Sequence, residues 1–264
     1  MQYSSYLQEL VSSFKSPQLW IYMGWNDVRS RYRRSLLGPL WLVINTAIFI
    51  SMLGVLWSTL FKTDLKEYMP YFCTGYIFWQ FILAQLNESA AGFSQFEYII
   101  KQIRLPFRVY ILRLLVRNFI NFLHNFIVLI VVLLIFQDFK IDFLSVFSFV
   151  LGFALFLIAL FGASILISLL CTKYRDMTMV FQNLLMIIFY FTPILWLPKN
   201  LPSEYKWLAD INPIYIFIEI VRAPILGEVI DFNNIKSALF LTFILFFLSF
   251  FAMSKKRNCI AYWI

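Results

Sequence analysis

The chain has 264 residues, of which 61% are hydrophobic and 14% charged; 31 are Phe, and the formal charge is +8. Soluble globular chains average about 45–50% apolar and about 25% charged residues, so a water-soluble fold is excluded. Eight glycines, nine prolines and three cysteines exclude collagen-like, disordered and disulfide-stapled chains, which leaves a polytopic membrane protein.

Six stretches carry no charged residue: 35–61, 68–87, 118–137, 143–172, 177–198 and 237–254. A helix needs about 20 apolar residues to cross about 30 Å of hydrocarbon. Strands are excluded because an open strand leaves its amides unpaired in lipid, and 128–136 is continuously apolar rather than alternating. The expected fold is an all-α polytopic membrane protein, a single transmembrane domain over 1–264 with six transmembrane helices at about 36–61, 69–90, 114–136, 143–171, 177–197 and 236–254. With the amino terminus inside, fifteen of the 22 Lys and Arg fall in inner segments, so both termini are expected in the cytoplasm. The first thirty-four residues contain Glu9, Lys15, Asp27 and four Arg with no apolar core, so no secretory signal is expected. Cys73 falls near the outer face and Cys171 and Cys259 near the inner one, without CxxC spacing; they read as buried, inert thiols.

In chain order, four segments outside these spans stand out. Within 16–34, Ile21, Trp25, Val28 and Tyr32 fall on one helical face, with Arg29, Arg31, Arg33 and Arg34 crowding its end. This predicts an amphipathic helix in the cytoplasmic interface, ending where Gly38-Pro39 starts the first span. Its arginines have two readings, a topology anchor or a contact with an anionic lipid-linked substrate.

The segment 92–108 places Phe96, Ile99, Ile100 and Ile103 at i, i+3, i+4 and i+7, a short amphipathic helix that Pro106 ends. It reads either as a docking element for a soluble partner or as a helix lying flat on lipid. The turn 172–176 is a structural corner in which Arg175 and Asp176 pair or cap the next helix. The outer segment 199–236 has uncharged pieces at 211–218 and 223–227, broken by Pro213 and Pro224 and too short to cross. These read as re-entrant or interfacial helices, serving to narrow an exit or to fill packing.

The chemistry absent from the chain narrows its function. There is no GxxxxGK[ST] phosphate loop, so ATP is not hydrolysed through that motif. His124 stands alone between Asn121 and Asn125 and reads as an interhelical hydrogen-bonding residue before a ligand; no metal site is expected. Ion-coupled carriers keep acids mid-membrane, whereas Glu88 is the one acid near a span and lies at its end. A membrane-embedded glycosyl-transferring enzyme lacks its acid–base pair. Aromatic surface is abundant instead. Tyr71, Tyr76, Trp79, Phe189, Tyr190 and Trp196 are candidates to line a sugar path, against the alternative of lipid belts and packing.

Three stretches together resemble the permease subunit of ABC-2-type bacterial polysaccharide exporters, the transporters of O-antigen, capsule and teichoic acid. They are DVRSRYRRSLLGPLW at 27–41, YIIKQIRLPF at 98–107, and YRDM at 174–177 followed by FTPILW at 191–196 and INPIYIFIEIVRAPILG at 211–227. The resemblance spans nearly the whole chain. It implies a homodimer with two copies of a separate ABC ATPase, which carries the ATP and Mg, and no cofactor or nucleic acid on this chain. It implies that 16–34 is an interface or gate helix, and that Arg29, Arg31, Arg33 and Arg34 meet an undecaprenyl-diphosphate head. Tyr98, Ile99, Ile100, Lys101, Ile103, Arg104 and Pro106 would belong to the helix coupling to the ATPase, and 211–227 to re-entrant outer helices. The implied function is export of lipid-linked polysaccharide, O-antigen first, across the bacterial inner membrane. Teichoic acid, capsule or a small hydrophobic drug or lipid are the alternatives. No carbohydrate-binding domain is expected after Lys255, Lys256 and Arg257.

Overall fold

The computed structural model describes residues 13–103, 105–137 and 142–264, and every regular element among them is helical. In chain order these are α1 (Pro17–Arg31), α2 (Leu40–Leu60), α3 (Leu65–Ala90), a 3-10 turn (Phe93–Phe96), α4 (Glu97–Gln102) and α5 (Phe107–Phe136). Then come α6 (Phe143–Lys173), α7 (Met177–Phe191), 3-10 turns at Pro198–Asn200 and Ser203–Tyr205, α8 (Trp207–Asp210), α9 (Pro213–Leu226) and α10 (Phe232–Trp263).

Helix α3 is the axle. Asp64 caps it by accepting the Lys66 amide at 3.0 Å, and residues 68–79 are buried without interruption. α2, α5, α6, α7 and α9 surround it. Association between helices in lipid is driven by close packing and interhelical hydrogen bonds, since lipid tails are as apolar as leucine. Both are present here. Phe78 meets Phe122 at 5.1 Å and Phe156 at 5.7 Å between ring centroids, and Gln85 donates to the Ser164 hydroxyl at 3.0 Å. α10 lies along α6, and α9 packs on α6, α10 and α3. α1 lies on α5, where a Cβ on Gly24 would stand 2.9 Å from the Arg113 carbonyl oxygen; only glycine permits that approach.

The expected six transmembrane helices are corrected by this structure. Four helices among the described residues are long and apolar enough to cross a membrane: α2, α5, α6 and α10. α3 has 26 residues, but Tyr68, Tyr71, Tyr76, Gln80 and Gln85 dilute its apolar character, because it faces protein where a lipid-facing helix would face hydrocarbon. α7 has only 15 residues, roughly 22 Å at helical rise, short of the hydrocarbon thickness. It stops because Thr192 precedes Pro193, which drives Thr192 to ψ 135 and out of the helix.

Other parts of the expected fold class change as well. α1 buries Gly24 and Val28 but leaves Ile21, Tyr22 and Trp25 exposed, so the stripe read from the sequence is split between two environments. The segment before α5 does not form a helix running to Pro106. It is a 3-10 turn and a six-residue helix that ends at the extended Ile103, and nothing marks it as a coupling helix; Arg104 lies outside the described residues. Nor are re-entrant helices shown. Pro213 opens α9, Pro224 lies inside its last turn, and Gly227 ends it at φ 76, giving one 14-residue helix packed against the body.

Candidate functional site

One site, on the side that the charge count makes the expected inner one, is assembled by α1, α3 and α5. Arg113 of α5 grips Asp27 of α1 through two hydrogen bonds, Nε to Oδ2 at 2.7 Å and Nη2 to Oδ1 at 2.6 Å. One turn further along α5, Arg117 lies 3.5 Å from Asp27 and 2.6 Å from Glu88 of α3. Asn118 donates to Glu88 at 2.7 Å and to Gln85 at 2.9 Å, so the carboxylate is held from two sides. Arg31, at the end of α1, closes the chain of charges at 3.6 Å from Glu88. Three guanidiniums therefore face two carboxylates. Partly buried bidentate pairs of this kind are the strong ones and fix orientation as well as energy.

Outward from this cluster, Ser30, Arg31, Arg33 and Arg34 line an open, polar pocket of about 400 Å³. Of the four arginines singled out in the sequence, the structure brings Arg31, Arg33 and Arg34 together, while Arg29 stands outside the pocket. Such a cup, rich in guanidinium forks, has the chemistry to hold phosphate oxygens.

On its other side the cluster touches the segment before α5. Arg113 lies over the Phe96 ring at 5.4 Å, and Phe96 stacks on Tyr110 at 5.0 Å. The turn is fastened to α6 where the Phe93 amide donates to the Thr172 hydroxyl at 2.8 Å, and Gly92 at φ 66 allows that approach. Beyond it, Ile99 and Ile100 are half-buried, Pro106 is buried, and Tyr98 and Ile103 are exposed. Lys101 pairs with Glu97 across one helical turn and holds that carboxyl below the usual range. Asp176 stands at the N-cap of α7 with no side-chain cap bond.

A second cluster, in the segment expected to be outer, centres on Arg222 of α9, whose side chain is 1% exposed. It pairs with Glu219, donates to the Pro193 carbonyl at 3.1 Å, and lies 3.7 Å over the Tyr71 ring. The Tyr71 hydroxyl reaches the same carbonyl at 2.9 Å, and the Tyr68 hydroxyl reaches the Leu195 carbonyl at 2.6 Å. The backbone freed by the end of α7 is thus satisfied by buried donors from α3 and α9, as buried carbonyls require.

The six aromatics proposed for a sugar path separate accordingly. Tyr71 belongs to the outer cluster. Tyr76 and Trp79 are buried, and Tyr76 stacks on Phe49 of α2 at 4.5 Å. Phe189 meets Trp79 at 5.5 Å and Tyr190 at 5.4 Å, so these rings run from the core out to Tyr190, which is 59% exposed. Trp196 donates to the Tyr190 carbonyl at 3.1 Å. His124 places Nδ1 2.7 Å from the Ile120 carbonyl of its own helix, and the interhelical bond is made instead by Asn125, which accepts from Thr46 at 3.1 Å.

Sequence reasoning missed Asp27, Arg113, Arg117 and Glu219 as partners. The uncharged run begins only at 118, which leaves Arg113 just before the span expected at 114–136 and Arg117 in its first turn, both counted among the inner charges. Their spacing of four was the signal, since it puts both on one face of any helix that starts earlier.

A family model described as ABC-2 type transporter matches residues 18–226, which takes in both clusters. Two O-antigen export system permease proteins RfbA from Klebsiella pneumoniae are each 26% identical to this chain. One aligns over 83% of this chain and 84% of its own length, the other over 82% and 83%. The protein of the same name from Myxococcus xanthus is 22% identical over 67% of this chain and 68% of its own length.

Proposed function

The chain belongs to the ABC-2 type transporter family, and on that premise we propose that it is the membrane half of an ATP-driven exporter of lipid-linked polysaccharide. It is a multi-pass, non-catalytic permease subunit without an ATPase motif, and the family's architecture pairs such a subunit with a nucleotide-binding ABC subunit. The cargo is the undecaprenyl-diphosphate-linked O-antigen chain, moved to the periplasmic side of the bacterial inner membrane. The relatives' names favour it over teichoic acid, capsule or a small hydrophobic compound. The working assembly is a homodimer with two ATPase copies, and both termini are cytoplasmic.

The observation that carries this reading is the contact of Arg113 with both Asp27 and Phe96. It joins the segment around Tyr98, Ile99, Ile100, Lys101, Ile103, Arg104 and Pro106, where the ATPase docks, to the helix that ends in the arginine pocket. Movement of the docking segment is transmitted through one guanidinium to α1. Arg31, Arg33 and Arg34 take the diphosphate, and Phe189, Tyr190 and Trp196 face the sugar, with the buried Tyr76 and Trp79 packed behind them.

Tyr98 and Ile103 are exposed, so changing both to Asp tests docking without disturbing the core. The tagged variant is expected to insert normally, to lose a stoichiometric ATPase from mild-detergent pull-downs, and to display no surface polysaccharide. A variant that keeps its ATPase and exports normally overturns the assignment. Arg31→Gln, Arg33→Gln and Arg34→Gln together are expected to reduce surface polysaccharide with assembly intact.

A further inference from the structure

Arg31 is shared between two sites. It lines the pocket with Arg33 and Arg34, and it also reaches back to Glu88 at 3.6 Å. The other contacts to Glu88 are shorter and more buried: Arg117 at 2.6 Å with a side chain 14% exposed, and Asn118 at 2.7 Å. The Arg31 side chain is 51% exposed. Within this network Arg31 is therefore the detachable member. Glu88 stays held by Arg117 and Asn118 when Arg31 leaves, and Asp27 stays held by Arg113.

We propose that Glu88 is an internal competitor for Arg31, so that a phosphate-bearing anion entering the arginine pocket draws Arg31 off Glu88 and frees the end of α1 from α3. This deepens, and rests on, the reading of the pocket as the seat of a lipid-linked diphosphate. A guanidinium fork matches a phosphate group through paired, charge-assisted hydrogen bonds, whereas its contact with Glu88 is a single long ion pair in partial contact with solvent. The exchange costs no buried charge, because Glu88 keeps Arg117. Occupancy of the pocket is thereby reported to the same network that Arg113 connects to Phe96, and a loaded pocket differs mechanically from an empty one. A phospholipid headgroup presents the same chemistry as the diphosphate of a lipid carrier.

The test is a calorimetric titration of the purified chain with inorganic pyrophosphate, in phosphatidylcholine nanodiscs. Glu88→Gln removes the competing charge but keeps an oxygen for Arg117 and Asn118. It is expected to tighten pyrophosphate binding roughly fivefold, the upper range for an exposed ion pair. The gain should vanish when Glu88→Gln is made in an Arg31→Gln background. As a measurement on the unaltered network, spin labels at Tyr22→Cys on α1 and Gln95→Cys on the 3-10 turn that follows α3 should report a longer distance when pyrophosphate saturates the pocket.

If Arg33→Gln and Arg34→Gln weaken binding but Glu88→Gln equals the wild type and the label distance does not change, the competition is overturned and the pocket remains a phosphate site. If neither the wild type nor Glu88→Gln binds pyrophosphate, the reading of the pocket falls and the competition with it. Replacing phosphatidylcholine with phosphatidylglycerol separates the two sources. Headgroups that occupy the pocket lower the apparent pyrophosphate affinity, whereas an unchanged affinity assigns the pocket to the diphosphate; the exchange of Arg31 stands in both.

Discussion

The inner and outer clusters both bury arginine, yet they are built for different ends. At the outer end Arg222 is 1% exposed and meets one carboxylate, one carbonyl and an aromatic face within its own surroundings. Its partners come from α3, α9 and the segment following α7, and the group is closed. At the inner end the arginines form a chain across three helices that begins under Phe96 and finishes at the half-exposed Arg31. A closed cluster can only hold the fold. An open one has a free end, and so has something to respond to.

The largest expected effect breaks the closed cluster. Arg222→Leu leaves the Glu219 carboxylate without its donor and the Pro193 carbonyl with Tyr71 alone, and losing one partner of a buried pair costs about 3–5 kcal/mol. Thermal unfolding in detergent should show a large fall in midpoint; a midpoint near the wild type would remove the cluster's structural role. Next comes Arg113→Gln, which loses the bidentate grip on Asp27 at a cost of about 2 kcal/mol. The bonds between 17 and 31 should become sensitive to protease while the rest of the chain stays resistant. Arg113→Lys should restore little, since an ammonium cannot match both carboxylate oxygens.

The smallest effect sharpens the comparison. Tyr71→Phe removes one neutral hydrogen bond to Pro193, about 1 kcal/mol, and keeps the ring under Arg222. Export at the wild-type rate with a slightly lowered midpoint would assign Tyr71 to the outer cluster. A marked loss of export with no change in midpoint would return it to the sugar path.

The legibility of these regions in the sequence differs for physical reasons. Helix α6 stands out because its residues 143–172 carry no charge and its outward side chains meet lipid. Helix α3 misleads because its residues 68–79 are enclosed by neighbouring helices, and a helix so placed can carry Tyr68, Tyr71 and Gln85 without any of them meeting lipid. The arginine pocket was half legible: a run of arginines marks an anion-facing surface, but which of them converge depends on the turn after α1. Arg222 falls within the segment 199–236 that the sequence places outside, and nothing local to 211–227 indicates that Tyr71 lies against it.

By itself the sequence determined that this protein is an all-helical polytopic membrane protein, because composition and uncharged run length report the solvent each segment needs. The end of α7 was also written locally, since Pro193 forbids the helical state to Thr192. Only the tertiary structure decided which helices are enclosed by others, and which carboxylate each arginine takes. Those outcomes depend on contacts between residues far apart in the chain: Asp27 with Arg113, Glu88 with Arg117 and Tyr71 with Arg222. A charge placed at a helix end chooses its partner by which neighbouring helix packs there, and no local pattern encodes that choice.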